Sequence, residues 1–182
     1  MAAHGTRTRV CLIGPECTGK TTLAEGLAVH FDAPWVPEFA REYAARVARE
    51  LTVDDVEPIA RGQMALEDAA PAEGLVILDT DLISTVVYAR HYYGQCPEWI
   101  EAAAGARKAD LYLLTDIDVP FIPDSLRDSA APRELLFERF AQTLKAYEAN
   151  VVTITGERFE AAVRQLDSLL DRPPSEARNP RR

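Results

Sequence analysis

A glycine-rich stretch near the amino terminus carries the residue types that bind phosphate. Residues 14–22 read Gly-Pro-Glu-Cys-Thr-Gly-Lys-Thr-Thr, which matches the pattern G-x-x-x-x-G-K-[ST] at Gly14, Gly19, Lys20 and Thr21. Glycines let such a loop curl until its backbone N–H groups point inward at an anion. The lysine of this pattern reaches the β- and γ-phosphates, and the hydroxyl that follows coordinates Mg²⁺. The spacing therefore predicts a site for ATP and Mg²⁺.

The segments beside the loop favour a binding site over a chance glycine-rich turn. The apolar run 10–13 precedes it, and apolar residues at helical spacing follow it. Strand, loop and helix in this order place the positive end of the helix dipole at the phosphates. The residues that we expect to bind the nucleotide are Gly14, Pro15, Glu16, Cys17, Thr18, Gly19, Lys20, Thr21 and Thr22.

Carboxylates that follow apolar segments are the second group of candidates. Glu38 follows the short segment 34–37, and Asp79 and Asp81 follow the apolar run 75–78. Transfer of a phosphoryl group to an alcohol needs a base for the hydroxyl and a carboxylate for the metal ion. We assign Glu38 as the base, Asp79 as the magnesium carboxylate that acts with Thr21, and Asp81 as a substrate contact. The alternatives are a glutamate that only stabilises a helix terminus and aspartates that only cap the following helix.

Three arginines are candidates for contacts with phosphate groups. Arg127 and Arg133 lie in or next to the Pro- and Asp-rich segment 116–132, which is typical of a lid that closes over the phosphates. Arg41 lies one helical turn after Glu38 and could bind a phosphate or pair with that glutamate. A solvated arginine is the alternative for Arg127 and Arg133.

Three further side chains could form a pocket for the second substrate. Gln63 lies on the apolar face of a predicted helix, so it needs a hydrogen-bond partner if it is buried. That partner could be a substrate base or amide, or a backbone carbonyl. Trp35 and Tyr88 could stack on an aromatic ring, and core packing is the alternative for both.

Apolar runs alternate with helical patterns along the chain. The runs predict strands at about 9–13, 34–37, 75–78, 111–114 and 151–154, and the second strand is bracketed by prolines, which suits a sheet edge. The helices are expected at about 20–31, 39–48, 53–70, 82–93, 98–108, 136–147 and 159–170. This alternation predicts a three-layer α/β/α fold with a parallel sheet. Ligands of such folds bind beyond the carboxyl ends of the strands, where the candidate residues above lie.

Composition limits the classes of function. The chain has 182 residues, 47% of them hydrophobic, and a net charge of -9 without a Lys/Arg-rich stripe, so we expect no binding to nucleic acid. We expect one domain over residues 1–171 and a disordered tail over 172–182. The three cysteines are scattered, which favours a reduced, cytoplasmic setting, and no apolar run is long enough for a membrane span.

Several segments together resemble the ribosylnicotinamide kinase family, the kinase module of NadR-type NAD-biosynthesis proteins. They are the glycine loop 14–22, Trp-Val-Pro-Glu-Phe-Ala-Arg-Glu-Tyr at 35–43, Ile-Ala-Arg-Gly-Gln at 59–63, Leu-Asp-Thr-Asp at 78–81 and Asp-Ser-Leu-Arg at 124–127. The lid segment departs from the family pattern, in which Asp-Gly-Leu-Arg is expected. NadR-type proteins often also carry an adenylyltransferase domain, whose His-x-Gly-His signature is absent here, and a DNA-binding helix-turn-helix. Because this sequence starts at the kinase strand, we expect neither NAD formation from the mononucleotide nor repression of transcription.

The resemblance implies an ATP-dependent kinase with a five-stranded sheet that phosphorylates the 5′-hydroxyl of nicotinamide riboside to give nicotinamide mononucleotide. It also implies that Glu38 is the base, that Gln63 contacts the nicotinamide amide, and that the loop 155–158, with Arg158, packs on adenine. Two alternatives stay open. The acceptor could be another nucleoside or small metabolite, or the chain could be a regulatory module that binds ATP without transferring phosphate.

Overall fold

The computed structural model describes residues 6–118 and 133–171, and these form a five-stranded parallel sheet with helices on both faces. The strands are β1 (Arg7–Ile13), β2 (Trp35–Val36), β3 (Gly74–Asp79), β4 (Leu111–Thr115) and β5 (Val151–Ile154). The helices are α1 (Lys20–His30), α2 (Phe39–Val47), α3 (Val56–Ala69), α4 (Leu82–Tyr93), α5 (Glu98–Ala106), α6 (Arg133–Ala146) and α7 (Arg158–Leu170).

The central strands are buried on both faces, as expected for a parallel sheet between two helical layers. In β1, residues 10–13 are fully buried and alternate between two cores. Cys11 and Ile13 pack with α3, α4, α5 and α6, whereas Val10 and Leu12 pack with α1 and α7. The predicted three-layer α/β/α fold is confirmed.

The strand order, β2-β3-β1-β4-β5, brings the carboxyl ends of β1 and β3 side by side. The glycine loop follows β1, Glu38 follows β2, and Asp79 ends β3, so these groups meet at one edge of the sheet. The two-residue strand β2 lies at the edge, as its flanking prolines predicted. None of the described helices is long and apolar enough to cross a membrane.

Helices α2 and α3 approach closely at Gly62. A Cβ atom at this position would lie 2.0 Å from Cε1 of Phe39, the residue that follows Glu38. The backbone N–H of Phe39 also donates to Oε1 of Gln63 at 2.9 Å. The glycine and the glutamine together therefore set where α2 begins, and with it the position of Glu38.

We expect Gly62→Ala to lower the free energy of unfolding by about 1–3 kcal/mol, because the methyl group must displace the Phe39 ring. It should also lower turnover, since Glu38 precedes that residue. Chemical denaturation and initial rates measure the two effects. Gly105→Ala in α5 is the matched control, because its Cβ would lie 3.4 Å from the Tyr147 ring, an ordinary contact. Equal stability of the two variants would show that α2 and α3 have room to separate.

Candidate active site

The glycine loop is pressed against the end of β4. Gly14 has φ +141°, and a Cβ there would lie 2.8 Å from Oγ1 and 2.9 Å from the carbonyl oxygen of Thr115, so a larger residue does not fit. Thr18 Oγ1 donates to the carbonyl oxygen of Pro15 at 2.9 Å and lies 2.6 Å from Thr115 Oγ1. Gly19, with φ +81°, leads directly into α1. The loop is thus held in the curled form that an anion requires.

Thr21 and Asp79 lie together and carry oxygen atoms of the kind that Mg²⁺ prefers. Thr21 Oγ1 donates to Asp79 Oδ2 at 2.6 Å. Asp79 is 2% exposed, and its Oδ1 has no hydrogen-bond partner within the described part of the chain. Burial raises the pKa of Asp79, while the hydrogen bond from Thr21 and the charge of Lys20 lower it. A buried oxygen without a partner beside a hydroxyl fits a hard cation.

The metal would need oxygen ligands from outside the protein as well. Among residues 6–118 and 133–171 no group of three or more His, Cys, Asp or Glu side chains is placed to hold a metal ion. This agrees with Mg²⁺ chemistry, in which one or two carboxylates act together with phosphate oxygens and water.

A first cavity, which we call the loop cavity, opens over the glycine loop with a volume of about 350 Å³. Lys20 begins α1 beside it, and Lys20 Nζ donates to the carbonyl oxygen of Pro15 at 2.7 Å. The residues that line it are Glu16, Cys17, Thr18, Gly19, Lys20, Thr21, Thr22, Glu38 and Arg41. Gly14 and Pro15, which we also expected to contact the nucleotide, do not line this cavity. Gly14 packs against Thr115, and the Pro15 carbonyl accepts hydrogen bonds from Thr18 and Lys20.

A second cavity, the helical cavity, lies beside the first and has a volume of about 490 Å³. Its lining comes mainly from α3, α4 and the segment before α3, and consists of Glu16, Glu38, Ala40, Glu50, Leu51, Thr52, Val56, Ile59, Gln63, Thr80, Ser84, Thr85, Tyr88, Ala89, Tyr92 and Tyr93. Glu38 and Glu16 line both cavities. The Glu38 side chain is 12% exposed, and its Oε2 lies 3.8 Å from Nε of Arg41. A carboxylate thus stands where the two cavities meet.

Gln63 forms the backbone hydrogen bonds that were one of its two predicted roles, and its contact with a substrate stays a prediction. Its Oε1 accepts from Phe39 N, its Nε2 donates to the carbonyl oxygen of Thr80 at 3.4 Å, and the side chain also lines the helical cavity. Tyr88 lines the same cavity and stacks on Tyr92, with ring centroids 6.1 Å apart and 7° between the planes. Tyr92 was not among the predicted site residues, although the i, i+4 spacing of these tyrosines places them on one face of α4.

Asp81 has a different role from the one that we assigned. Its Oδ1 accepts from the backbone N–H of Ile83 at 2.9 Å and its Oδ2 from the Tyr112 hydroxyl at 2.5 Å. The side chain is 3% exposed and lines neither cavity. The expected substrate contact is therefore corrected to the N-cap of α4, because both oxygens are used inside the fold.

Trp35 also differs from its proposed role as a stacking residue. It packs against the core formed with α1 and α7, on the opposite face of the sheet from the helical cavity. Its neighbour Val36 faces the other core. Alternation of side chains along β2 explains this placement, and Trp35 is corrected to a packing residue.

Thr80, between the two aspartates, has a backbone conformation that the sequence did not reveal. Its φ is +82°, a region that costs a non-glycine residue on the order of 1–3 kcal/mol. The backbone N–H of Thr80 donates to the carbonyl oxygen of Leu12 at 3.1 Å, and its hydroxyl bonds with Ser84. This conformation turns Asp79 towards the loop cavity and Asp81 towards α4.

Arg158, the first residue of α7, connects three loops. Its guanidinium donates to the carbonyl oxygens of Thr18 and Asp116 and pairs with the Asp118 carboxylate. Asp118 Oδ2 in turn accepts from the backbone N–H of Gly156 at 2.7 Å. Arg158 therefore holds the loop after β5 against the glycine loop, and a contact with adenine stays a prediction.

Of the other three arginines that we expected at the site, only Arg41 lines a cavity among the described residues. Arg41 lines the loop cavity with a side chain that is 58% exposed. Arg133 begins α6 and lines neither cavity, so its action in a lid stays a prediction. Arg127 and the rest of the expected lid segment 124–127 lie outside the described residues, as does the tail 172–182.

Residues 9–161 match a family model described as an AAA domain. The chain belongs to this family. It is 25% identical over 160 residues to the trifunctional NAD biosynthesis/regulator protein NadR of Escherichia coli (strain K12), in an alignment that covers 84% of this chain and 39% of the relative. The protein is thus homologous to NadR, and it spans well under half of the length of that relative.

Solved NadR structures share the fold of this protein. The crystal structure of NadR protein in complex with NR has a TM-score of 0.76 and 29% identity, and the match covers 89% of this chain and 51% of that one. A second structure, in complex with NAD and AMP-PNP, has a TM-score of 0.76 and 28% identity, with coverages of 89% and 49%. The chain is a NadR-like P-loop domain.

Proposed function

We propose that the protein transfers a phosphoryl group from ATP to the 5′-hydroxyl of nicotinamide riboside and so forms nicotinamide mononucleotide. The observation that carries this proposal is the position of Glu38, a carboxylate that lines both the loop cavity and the helical cavity. A base for an acceptor hydroxyl must contact the acceptor and face the phosphate at the same time. A carboxylate that lines both cavities supports this role for Glu38.

The loop cavity suits the nucleotide. The residues that would hold the triphosphate and Mg²⁺ are the glycine loop, Lys20, Thr21 and Asp79, since they supply amide donors, a cation and oxygen ligands. When bound, ATP would supply the phosphoryl group and Mg²⁺ would neutralise its charge. The curled loop orients the phosphates, Lys20 places a positive charge beside them, and Glu38 accepts the proton from the acceptor hydroxyl.

The helical cavity suits a nucleoside. At about 490 Å³ it lies within the size range of small-molecule sites, and Tyr88 and Tyr92 provide aromatic surface beside the hydroxyl of Ser84 and the amide of Gln63. The related NadR protein whose structure contains NR supports nicotinamide riboside as the acceptor. The solved NadR structure in complex with NAD and AMP-PNP likewise supports ATP as the donor.

The proposal is tested by measuring ADP release from Mg-ATP with nicotinamide riboside, thymidine and deoxyadenosine as separate acceptors. We expect the riboside to stimulate release most and chromatography to show stoichiometric nicotinamide mononucleotide. Stimulation by another nucleoside alone would replace the acceptor and keep the kinase assignment. ATP binding without stimulation by any acceptor would instead favour the regulatory module.

A further inference from the structure

Glu16 places a negative charge in the glycine loop. It lies between Pro15 and Cys17 in the glycine loop, where a negative charge opposes the binding of an anionic triphosphate. Its side chain is partly buried, and it lines the helical cavity as well as the loop cavity. A role towards the acceptor would explain a carboxylate at this position.

The charge of Glu16 acts on α4, which forms one wall of the helical cavity. Burial lowers the pKa of His91 in α4, the charge of Arg139 lowers it further, and the charge of Glu16 raises it. The carboxylate is therefore close enough to α4 to influence a group on that helix. Tyr88 and Tyr92 lie on the same helix and contribute aromatic surface to the cavity.

The helical cavity is acidic. Its charged lining residues are Glu16, Glu38 and Glu50, and the described lining contains no Lys, Arg or His. Of the nearby cations, Arg41 lines the loop cavity, and Arg49 pairs with both oxygens of Asp55 at 2.7 and 2.9 Å. An acceptor in this cavity thus meets negative charge and aromatic rings, which favour a cation.

We propose that Glu16 is a specificity-determining residue that selects an acceptor with a positively charged ring over an uncharged acceptor of the same shape. The inference rests on the proposed function, because the pyridinium ring of nicotinamide riboside carries such a charge. The positive ring lies in the field of Glu16 and Glu50 and against the tyrosine faces, while the ribose hydroxyl meets Glu38.

The test compares nicotinamide riboside with its 1,4-dihydro form, which keeps the ribose and the amide but lacks the positive charge. The full chain, Glu16→Gln and the control Glu25→Gln, an exposed residue of α1, are assayed with both acceptors. We expect the wild type and Glu25→Gln to prefer the cation in kcat/KM. In Glu16→Gln this preference should fall about fivefold to tenfold, through KM for the cation, without an increase in KM for ATP.

Two results would overturn the inference. One is an unchanged ratio of kcat/KM for the two acceptors in Glu16→Gln. The other is a rise in KM for Mg-ATP that is the same with either acceptor, which would assign Glu16 to the nucleotide. If neither acceptor is phosphorylated by the wild type, the proposed function fails. Calorimetric binding of the two ribosides to wild type and Glu16→Gln then decides the charge selection separately.

Discussion

Replacing Lys20 with alanine is expected to lower kcat for phosphoryl transfer by at least about 10³-fold, because the variant loses the charge that faces the transferring group. Lys20 begins α1 at the loop cavity, and its Nζ bonds to the carbonyl oxygen of Pro15, so the side chain is held beside the predicted phosphate site. Initial rates at saturating Mg-ATP measure the effect. Normal turnover in Lys20→Ala would refute the mechanism.

Two further variants distinguish an effect of the Lys20 charge on the rate from an effect of Lys20 on the stability of the fold. Lys145→Ala in α6 removes an exposed lysine far along the chain and should leave kcat and the melting temperature unchanged. Lys20→Arg keeps the charge and should recover part of the rate. If Lys20→Ala and Lys20→Arg lose the same activity and both melt earlier, the lysine serves the loop structure through Pro15.

Glu38→Gln is expected to lower kcat by about 10²- to 10⁴-fold, the range for loss of a general base. Glutamine keeps the size of the side chain and its position between the cavities but cannot accept the proton of the acceptor hydroxyl. The loss should appear in kcat with both KM values little changed. Rapid-quench measurement of a single turnover shows whether the chemical step is the one that slows.

Glu42→Gln is the matched control for this variant, because Glu42 lies one turn further along α2 and is exposed. It should retain the wild-type rate. The pH dependence gives a second readout, since the limb of the kcat/KM profile that reports the base should disappear in Glu38→Gln alone. A wild-type profile in Glu38→Gln would assign the base to another residue.

The sequence was sufficient for the fold because element type depends on periodicity that is local. Continuous apolar runs predicted all five strands, and the helix predicted at 82–93 has the bounds of α4. The helix predicted at 53–70 differs at its start, where residues 53–55 form a 3₁₀ turn before α3. Thr52 N donates to Asp55 Oδ2 there at 2.7 Å, and this bond sets the tighter turn.

The glycine loop and the ends of the predicted strands placed the candidate residues at one edge of the sheet, but they could not show which way each side chain points. Asp79 and Asp81 are two residues apart, so a regular strand would turn both to the same side. The positive φ of Thr80 breaks that period. This conformation, held by hydrogen bonds of Thr80 to Leu12 and Ser84, separates Asp79, the predicted magnesium carboxylate, from Asp81, the helix cap.

By itself, then, the sequence determined the α/β fold and the glycine loop, and it pointed to the carboxylates at 38 and 79 as candidates, because motifs and periodicities are properties of neighbouring residues. The tertiary structure decided that Trp35 packs on the opposite face of the sheet from the helical cavity, and that Glu16 and Glu38 line both cavities. It also decided that Tyr92 lines the helical cavity next to Tyr88. These placements depend on the strand order and on how α2, α3 and α4 pack, which no local pattern specifies.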